Sequence, residues 1–505
     1  MEKKYIFILI LLVGVVFRLI ISANSNFIFN MDNARDMVDV RDMVVLHHLR
    51  LIGQTTSIDG FFYGPAWYYI LSVPFIISGG DPYGSILMEI LMWALGGYFL
   101  LYLVQRFYGW LALIAVSCIW IASNFILLGS QYAFNPNPIL FLTPVFIFCL
   151  WKYIENQKWY LNSAAWFLAG LFLHFEVTVG LFMPLVIILA VVVSGKFYLF
   201  KQVSFYLGPL IFALTLLPQI IFELRHNFFM TKSLLSYKST SHSGVDTNLI
   251  IRTQDLFKGF YNVLVPTFMN FKEFTSAASV LFIVVTGILI FQKKKMDQIT
   301  KIVLLTLFVP LIGLVPLKVG ILSWYYNASL VAAIFLIGFV IYQLRQYTLG
   351  KHVALFLTIV LFGFTVQNMT EYIKVSQIEE IGNSQLRTEL KAIDYTYQEA
   401  AGKNFKVYTY MPSVYDWPYQ YLYWWHGLKK YGYLPLEYAY APNKPPIVRD
   451  KERLNTGGNP ESSGLVFLIK EPDQIGIRHL WENDFNDLEF LKIENIGPLI
   501  IETRR

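Results

Sequence analysis

Cysteine and charge are both scarce in this sequence. The two cysteines, Cys118 and Cys149, fall in apolar stretches, which excludes a disulfide framework and any metal site with thiolate spacing. Charged residues make up 15% of the 505 positions, against roughly a quarter in soluble domains, so an ordinary water-soluble globule is excluded. There is no P-loop and no glycine-rich dinucleotide fingerprint. The net charge of +6 is spread over short clusters rather than one basic tract, and no nucleic-acid partner is expected. Internal repeats and low-complexity tracts are also missing, which weighs against an inverted-repeat transporter.

Apolar residues are abundant. They make up 56% of the chain, aromatics alone 17%, and mean hydropathy is +0.50. They come in blocks of about twenty, the length that crosses a bilayer core. The blocks predict a mainly α, polytopic membrane protein with about eleven transmembrane helices. These lie near 5–23, 84–104, 109–128, 138–154, 160–176, 177–194, 203–222, 276–292, 299–317, 325–343 and 352–370. The first resembles a signal peptide but ends in Asn24-Ser-Asn-Phe, without a small-residue cleavage site, and is expected to be retained. The run 160–194 is too long for one span and holds His174 and Glu176 at its middle, so a hairpin turn is expected there.

Basic residues orient the spans. With the N-terminus inside, the short loops on that side carry Lys3, Lys4, Arg106, Lys152, Lys158, Lys196, Lys201, Lys293, Lys301, Arg345 and Lys351, as the positive-inside rule requires. The expected location is the plasma membrane, with the N-terminus cytoplasmic. The longer segments, about 24–83 and 223–275, then lie outside and are expected to carry function. The apolar stretch 65–78 is too short to span and is expected to lie at the interface. Charge and turn residues return beyond 370, so the expected domains are a transmembrane catalytic part, 1–370, and a small extracytoplasmic α/β or α+β domain, 371–505. Within the latter, residues 405–410, 464–470 and 499–503 read as strands. Residues 385–400 and 417–430 read as helices.

An enzyme on the outer face has no nucleotide-sugar supply, so a sugar transferase there must use a lipid-carried donor. Such chemistry needs an interfacial carboxylate to deprotonate the acceptor and dipoles or cations for the departing phosphate. Asp32 is the candidate base. Asp36 is one helical turn on, and Arg35 is placed to hold either carboxylate or to meet the phosphate. The plainer reading of Asp32-Asn-Ala-Arg-Asp is a solvated polar loop. Arg225 and His226 would reach the outer interface, as phosphate ligands or as a snorkelling pair. Lys318 stands against the positive-inside pattern, as a phosphate contact or an exposed loop lysine. His174 and Glu176 are ionisable groups between apolar spans, where such groups are costly and often functional. Asn135 and Asn137 are possible ligands, or Asn137 is a helix cap with Pro138 in the first turn. The aromatic run Tyr419-Gln-Tyr-Leu-Tyr-Trp-Trp stacks on glycan or packs its domain onto the rest.

Together these motifs resemble the GT-C superfamily of membrane glycosyltransferases, and most of all the branch of protein O-mannosyltransferases and the lipid A aminoarabinose transferase. The resemblance runs in order from residue 1 to about 345. Asp32-Asn-Ala-Arg-Asp is similar to the acidic first-loop motif, and Tyr63-Gly-Pro-Ala-Trp-Tyr-Tyr to the Pro-Pro-Leu-Tyr-Tyr segment. Ser130–Pro138 resembles the second outer loop, Gly170–Thr178 a span that often reads His-Tyr-Thr, and Trp324-Tyr-Tyr-Asn-Ala the late Arg-Tyr segment. The resemblance implies that Asp32 is the catalytic carboxylate, that the donor is a polyprenyl-phosphate sugar, and that transfer inverts the anomeric centre. It makes Tyr63, Tyr68 and Tyr325 substrate-binding candidates. The acceptor is a lipid, glycan or protein. Asn33 replaces the family's Glu, Asn135 and Asn137 stand where relatives carry Asp, and Trp324 stands where they often have Arg. No cofactor is implied and no metal-ligand cluster is visible, which leaves a divalent metal open. The other readings are a transporter or flippase of a lipid-linked substrate, and a ligase using a diphosphate-linked glycan.

Overall fold

The computed structural model describes residues 3–237, 248–268, 296–317, 319–378, 384–412, 415–442 and 451–505, together with 287 and 382. Apart from residue 287, the expected span 276–292 lies outside the described residues. The protein is mainly helical. Among the described residues, six helices are long and apolar enough to cross a membrane, or seven if the bent pair Val203–Thr215 and Leu217–Arg225 counts as one span. Ala66–Ser78 and Gln298–Leu314 are apolar but shorter. This is an integral membrane protein, and each other expected span coincides with an apolar helix or helix pair.

The breaks between helices have local causes. α1 covers Lys3–Ser22, α2 Met31–Val45, α3 Ala66–Ser78 and α4 Tyr83–Ala122. α4 is 40 residues long but breaks at Gly109, where φ is 83° and ψ −174°. Only glycine enters that region without a steric penalty, so the expected spans 84–104 and 109–128 meet at a one-residue corner. The helix Trp159–Phe175 stops because Glu176 is extended (φ −154°, ψ 108°). The following turn folds back so tightly that a Cβ on Gly180 would lie 2.1 Å from the Leu173 nitrogen. The expected helix 203–222 is instead two helices bent by 48°. Pro218, in the first turn of the second, lacks the N–H that would continue the ladder.

Contacts divide the chain into two compact units. The first comprises Met1–Arg18, Arg50–Trp67 and Glu89–Glu371. Its core is helix on helix, with polar pins between helices. Arg18 is fully buried, donates to Ser130 Oγ at 2.7 Å and lies 3.7 Å over the Trp93 ring. Asn162 Nδ2 donates to the carbonyls of Ser204 and Phe205, and Tyr108 shares a hydrogen bond with Thr300 at 2.9 Å.

The second unit comprises Leu19–Leu49, Tyr68–Met88 and Tyr372–Arg505. It contains a mixed five-stranded sheet in the order β2-β1-β3-β5-β4. The strands are β1 Asn404–Tyr410, β2 Glu437–Ala439, β3 Ser462–Lys470, β4 Phe490–Ile496 and β5 Leu499–Arg504. β1 runs parallel to β2 and β3, and β5 antiparallel to β3 and β4. One side of the sheet closes over Tyr408, Tyr410, Leu468, Trp481 and Phe485. β1, β3 and β5 fall where strands are expected. β2 has only three residues and β4 is exposed along nearly its whole length, so neither carries a burial pattern to read.

The segment leading into α2 is stitched to the start of the C-terminal region. Phe29 N–H donates to Ser384 O at 2.7 Å, Leu386 N–H to Phe27 O at 3.1 Å, and Arg387 Nε to Asn24 O at 3.1 Å. The aromatic run 419–425 packs inward against α2 and α3. Trp424 stacks on Phe75 with 6.1 Å between centroids, and the Tyr421 hydroxyl donates to Gly80 O.

Candidate functional site

α2 begins with a reciprocal cap. Asn30 Oδ1 accepts from Asp32 N–H at 3.0 Å, and Asn33 Oδ1 accepts from Asn30 N–H at 3.2 Å. This is the capping-box arrangement with asparagine in both roles. It gives Asn33 a structural task. The cap fixes Asp32 in the first turn, where a carboxylate also meets the positive end of the helix dipole.

Arg35 joins the two expected carboxylates. Its Nη1 lies 2.9 Å from Asp32 Oδ1, and its Nε donates to Asp36 Oδ1 at 3.0 Å. The Asp32 side chain is 29% exposed, that of Arg35 16%, and that of Asp36 fully buried. One partly open carboxylate is thus tethered to a closed one through a shared guanidinium. Burial pushes the Asp36 carboxyl up to about 7, against the pull of Arg35. Burial also lowers the Arg35 guanidinium, but Asp36, Tyr68 and Asp32 outweigh it and hold its charge on. Tyr68, on α3, is buried and hydrogen-bonds Asp39. Asp32, Asp36 and Asp39 lie three and four residues apart, on one stripe of α2. Asp39 is the member that motif reading passed over, although its spacing from Asp36 signals the same face.

Within the first unit a separate polar cluster gathers Tyr63, Asn135, His174, Glu176 and Tyr325. Glu176 is buried. It accepts from the Tyr63 hydroxyl at 3.0 Å, from Thr178 N–H at 3.2 Å and from Thr178 Oγ1 at 2.9 Å, and the Trp324 indole is a further donor. Tyr325 hydrogen-bonds Ser57. His174 Nδ1 accepts from Ala66 N–H at 3.3 Å, so Nε2 carries the proton and donates to Thr215 O at 2.8 Å. Thr215 O lies at the Val203–Thr215 helix end, where the break leaves carbonyls without partners. Gly64 is needed here, because a Cβ would lie 1.9 Å from His174 Nδ1. Asn135 Nδ2 donates to Phe175 O at 2.7 Å, just before the helix break. The cluster fastens the loop 53–66 and the segment Ser323–Tyr326 to the turn at Glu176.

Asn137 does not cap its helix. It is the first residue of Asn137–Asn156, and its side chain donates to the carbonyls of Gly129 and Tyr132. Arg225 and His226 are exposed at the end of their helix, with His226 stacked on Phe222 at 4.1 Å. Lys318 lies outside the described residues. The chain on either side of it is held by Arg252, which donates to the carbonyls of Val315, Leu317 and Val319. Sequence reading had no reason to single out Arg252, since its partners are backbone atoms more than sixty residues away. Among the described residues no three His, Cys, Asp or Glu side chains gather as metal ligands would.

No family model matches the chain, and no curated protein matches it in sequence. Solved structures do match in fold. A crystal structure of ArnT from Cupriavidus metallidurans bound to undecaprenyl phosphate aligns with a TM-score of 0.63 at 10% identity, covering 100% of this chain and 98% of that one. ArnT from the same organism in the apo state aligns with a TM-score of 0.57 at 11% identity, covering 98% of this chain and 97% of that one. ArnT is an aminoarabinose transferase of the GT-C type. The chain therefore has an ArnT-like fold over its full length, as the motif resemblance implies.

Proposed function

We propose that this protein is a glycosyltransferase that moves a sugar from a polyprenyl-phosphate donor to an acceptor hydroxyl at the outer membrane face. The observation that carries the reading is the Asp32–Arg35–Asp36 triplet at the capped start of α2. It offers one carboxylate to solvent and holds its orientation from behind, as a general base requires. The ArnT-like fold, seen with undecaprenyl phosphate in one neighbour, supports a lipid-linked donor. In this reaction Asp32 takes the acceptor hydroxyl proton as the oxygen attacks the anomeric carbon. The bond from that carbon to the phosphate oxygen breaks, the polyprenyl phosphate leaves with the electron pair, and the anomeric centre inverts. Arg35 acts through the carboxylates. Both its arms are engaged by Asp32 and Asp36, so it fixes the base.

The test is transfer by purified protein, with a panel of polyprenyl-phosphate sugars first screened for thermal stabilisation. Asp32→Asn should keep the fold and the donor-induced shift while turnover drops about 10²- to 10⁴-fold. Near-normal turnover would remove the base assignment, and the absence of any shift across the panel would remove the donor class.

A further inference from the structure

Two carboxyl groups in the C-terminal region are placed as no isolated pair of acids should be. Glu389, in the helix Leu386–Glu399, is fully buried, and neither of its oxygens has a hydrogen-bond partner among the described residues. Glu471, just beyond β3, is 3% exposed. It accepts from the Tyr419 hydroxyl at 3.2 Å and from Ser384. The charge that acts on Glu389 is that of Glu471.

The surrounding cations point elsewhere. Lys470 is taken by Glu482 and Glu502, and Arg387 by Asn24 O. On the helix Trp417–Leu422, Tyr419 faces both acids with Tyr423 beside it, and Asp416 is engaged by Gln420 Nε2 at 2.7 Å. On β1, Tyr410 gives its carbonyl to Glu471 N–H and its hydroxyl to Asp473. Two carboxylates in a dry site, with no cation paired to either among the described residues, cannot both ionise. One proton held between them turns one acid into the donor that the other can accept.

We infer that Glu389 and Glu471 form a proton-sharing latch, which fastens the C-terminal domain to the segment entering α2 and loosens when the proton leaves. The linkage is short. Ser384 binds Glu471 through its hydroxyl and receives Phe29 N–H on its carbonyl, while Leu386, three residues before Glu389, bonds Phe27. Asn30, the cap of α2, follows directly. A second negative charge in the pair therefore acts within one turn of the seam that positions α2.

The direction is fixed by burial, which holds both carboxyls above the ordinary carboxylate range, and for Glu389 the charge of Glu471 adds to it. A carboxyl raised in the folded state contributes stability below its unfolded value, near 4.3, and loses it as pH rises through its folded value. The latch is thus closed in acid and loosens as pH rises through the folded-state values of the pair, that of Glu471 being about 7.

Hydrogen exchange on the full-length protein in detergent, from pH 6 to pH 9, reads the seam directly through the amides of Phe29 and Leu386. After correction for intrinsic base catalysis, wild-type exchange should accelerate about tenfold or more across that range. Glu389→Gln supplies an uncharged donor to Glu471 and should abolish the acceleration. Acceleration equal to wild type in Glu389→Gln would overturn the latch. Protection at pH 9 restored by added Na⁺ or Ca²⁺ and lost in the variant would overturn it in favour of a cation site. If Glu389→Gln does not fold, infrared spectroscopy of the wild type against Glu471→Gln decides. A protonated-carboxyl band at neutral pH that weakens in the variant supports the shared proton, and an unchanged band refutes it.

Discussion

Asp36→Asn separates the cost of burying a charge from the benefit of pairing it. The wild-type carboxyl is fully enclosed and sits 3.0 Å from Arg35 Nε. Two opposed effects are present. Pairing with Arg35 favours the ionised form, and loss of water disfavours it. Burial wins, because the group is pushed up from 3.8 to about 7. That displacement corresponds to about 4 kcal/mol between the two protonation states. The folded state binds this proton more tightly than the unfolded chain does. Its contribution is fully present below about pH 4 and is lost as pH rises through about 7. Asparagine cannot ionise, keeps an oxygen for Arg35, and leaves Asp32 at 2.9 Å from Nη1 to balance the guanidinium. Thermal unfolding in detergent, followed by tryptophan fluorescence between pH 4 and pH 9, should show the wild type losing several degrees that Asp36→Asn retains. The Glu389–Glu471 pair adds a slope of the same sign, so the comparison is the difference between the two curves. Parallel curves would refute the argument and mean that Arg35 fully compensates the burial.

Three further outcomes follow from buried groups elsewhere. Glu176→Ala strands the Tyr63, Thr178 and Trp324 donors and should cost about 3 kcal/mol or more, with Glu176→Gln losing distinctly less; equal melting temperatures for the two would break the case for a hydrogen-bond hub. Gly180→Ala places a methyl 2.1 Å from the Leu173 backbone nitrogen. That contact cannot be relieved by a rotamer change, so the variant should be destabilised by about 2 kcal/mol or more, read as a fall in the melting temperature. Glu89→Gln should melt at or above the wild-type temperature, because both oxygens of Glu89 are buried without a hydrogen-bond partner among the described residues; a lower temperature would mean that the carboxyl has a use.

Most of the helical scaffold was legible because apolar length is a one-dimensional signal. The breaks near Gly109 and Glu176 were legible too, the first from the length of the apolar run and Arg106 in its short loop, the second from ionisable residues inside an apolar run. The bend near Pro218 was missed because a proline in a first turn is tolerated. The sheet was half legible: β1, β3 and β5 carry apolar alternation or a buried run, whereas exposed β4 does not. In the candidate site, spacing alone put Asp32, Arg35 and Asp36 on one face. Asp39 acquires its partner only because α3 packs on α2 and brings Tyr68, a tertiary event. Asn33 looked like a lost acidic ligand, and its use as half of a cap depends on backbone geometry at Asn30. Two partners of Glu176 are distant in sequence, Tyr63 113 positions before it and Trp324 farther still after it, beyond any local pattern.

The seam between the segment before α2 and the C-terminal region sets an order of events during synthesis. Asn26 and Ser376 hydrogen-bond across 350 residues, and Asn24 and Arg387 across 363. A ribosome that has already delivered Asp32 must therefore translate most of the remaining chain before the scaffold for α2 exists. Loop closure over such distances is slow compared with helix formation, so the spans can insert and pack while the proposed base is still unmoored. A chain that terminates before residue 376 would carry Asp32 with its local cap and its Arg35 tether but without the seam that anchors the segment entering α2.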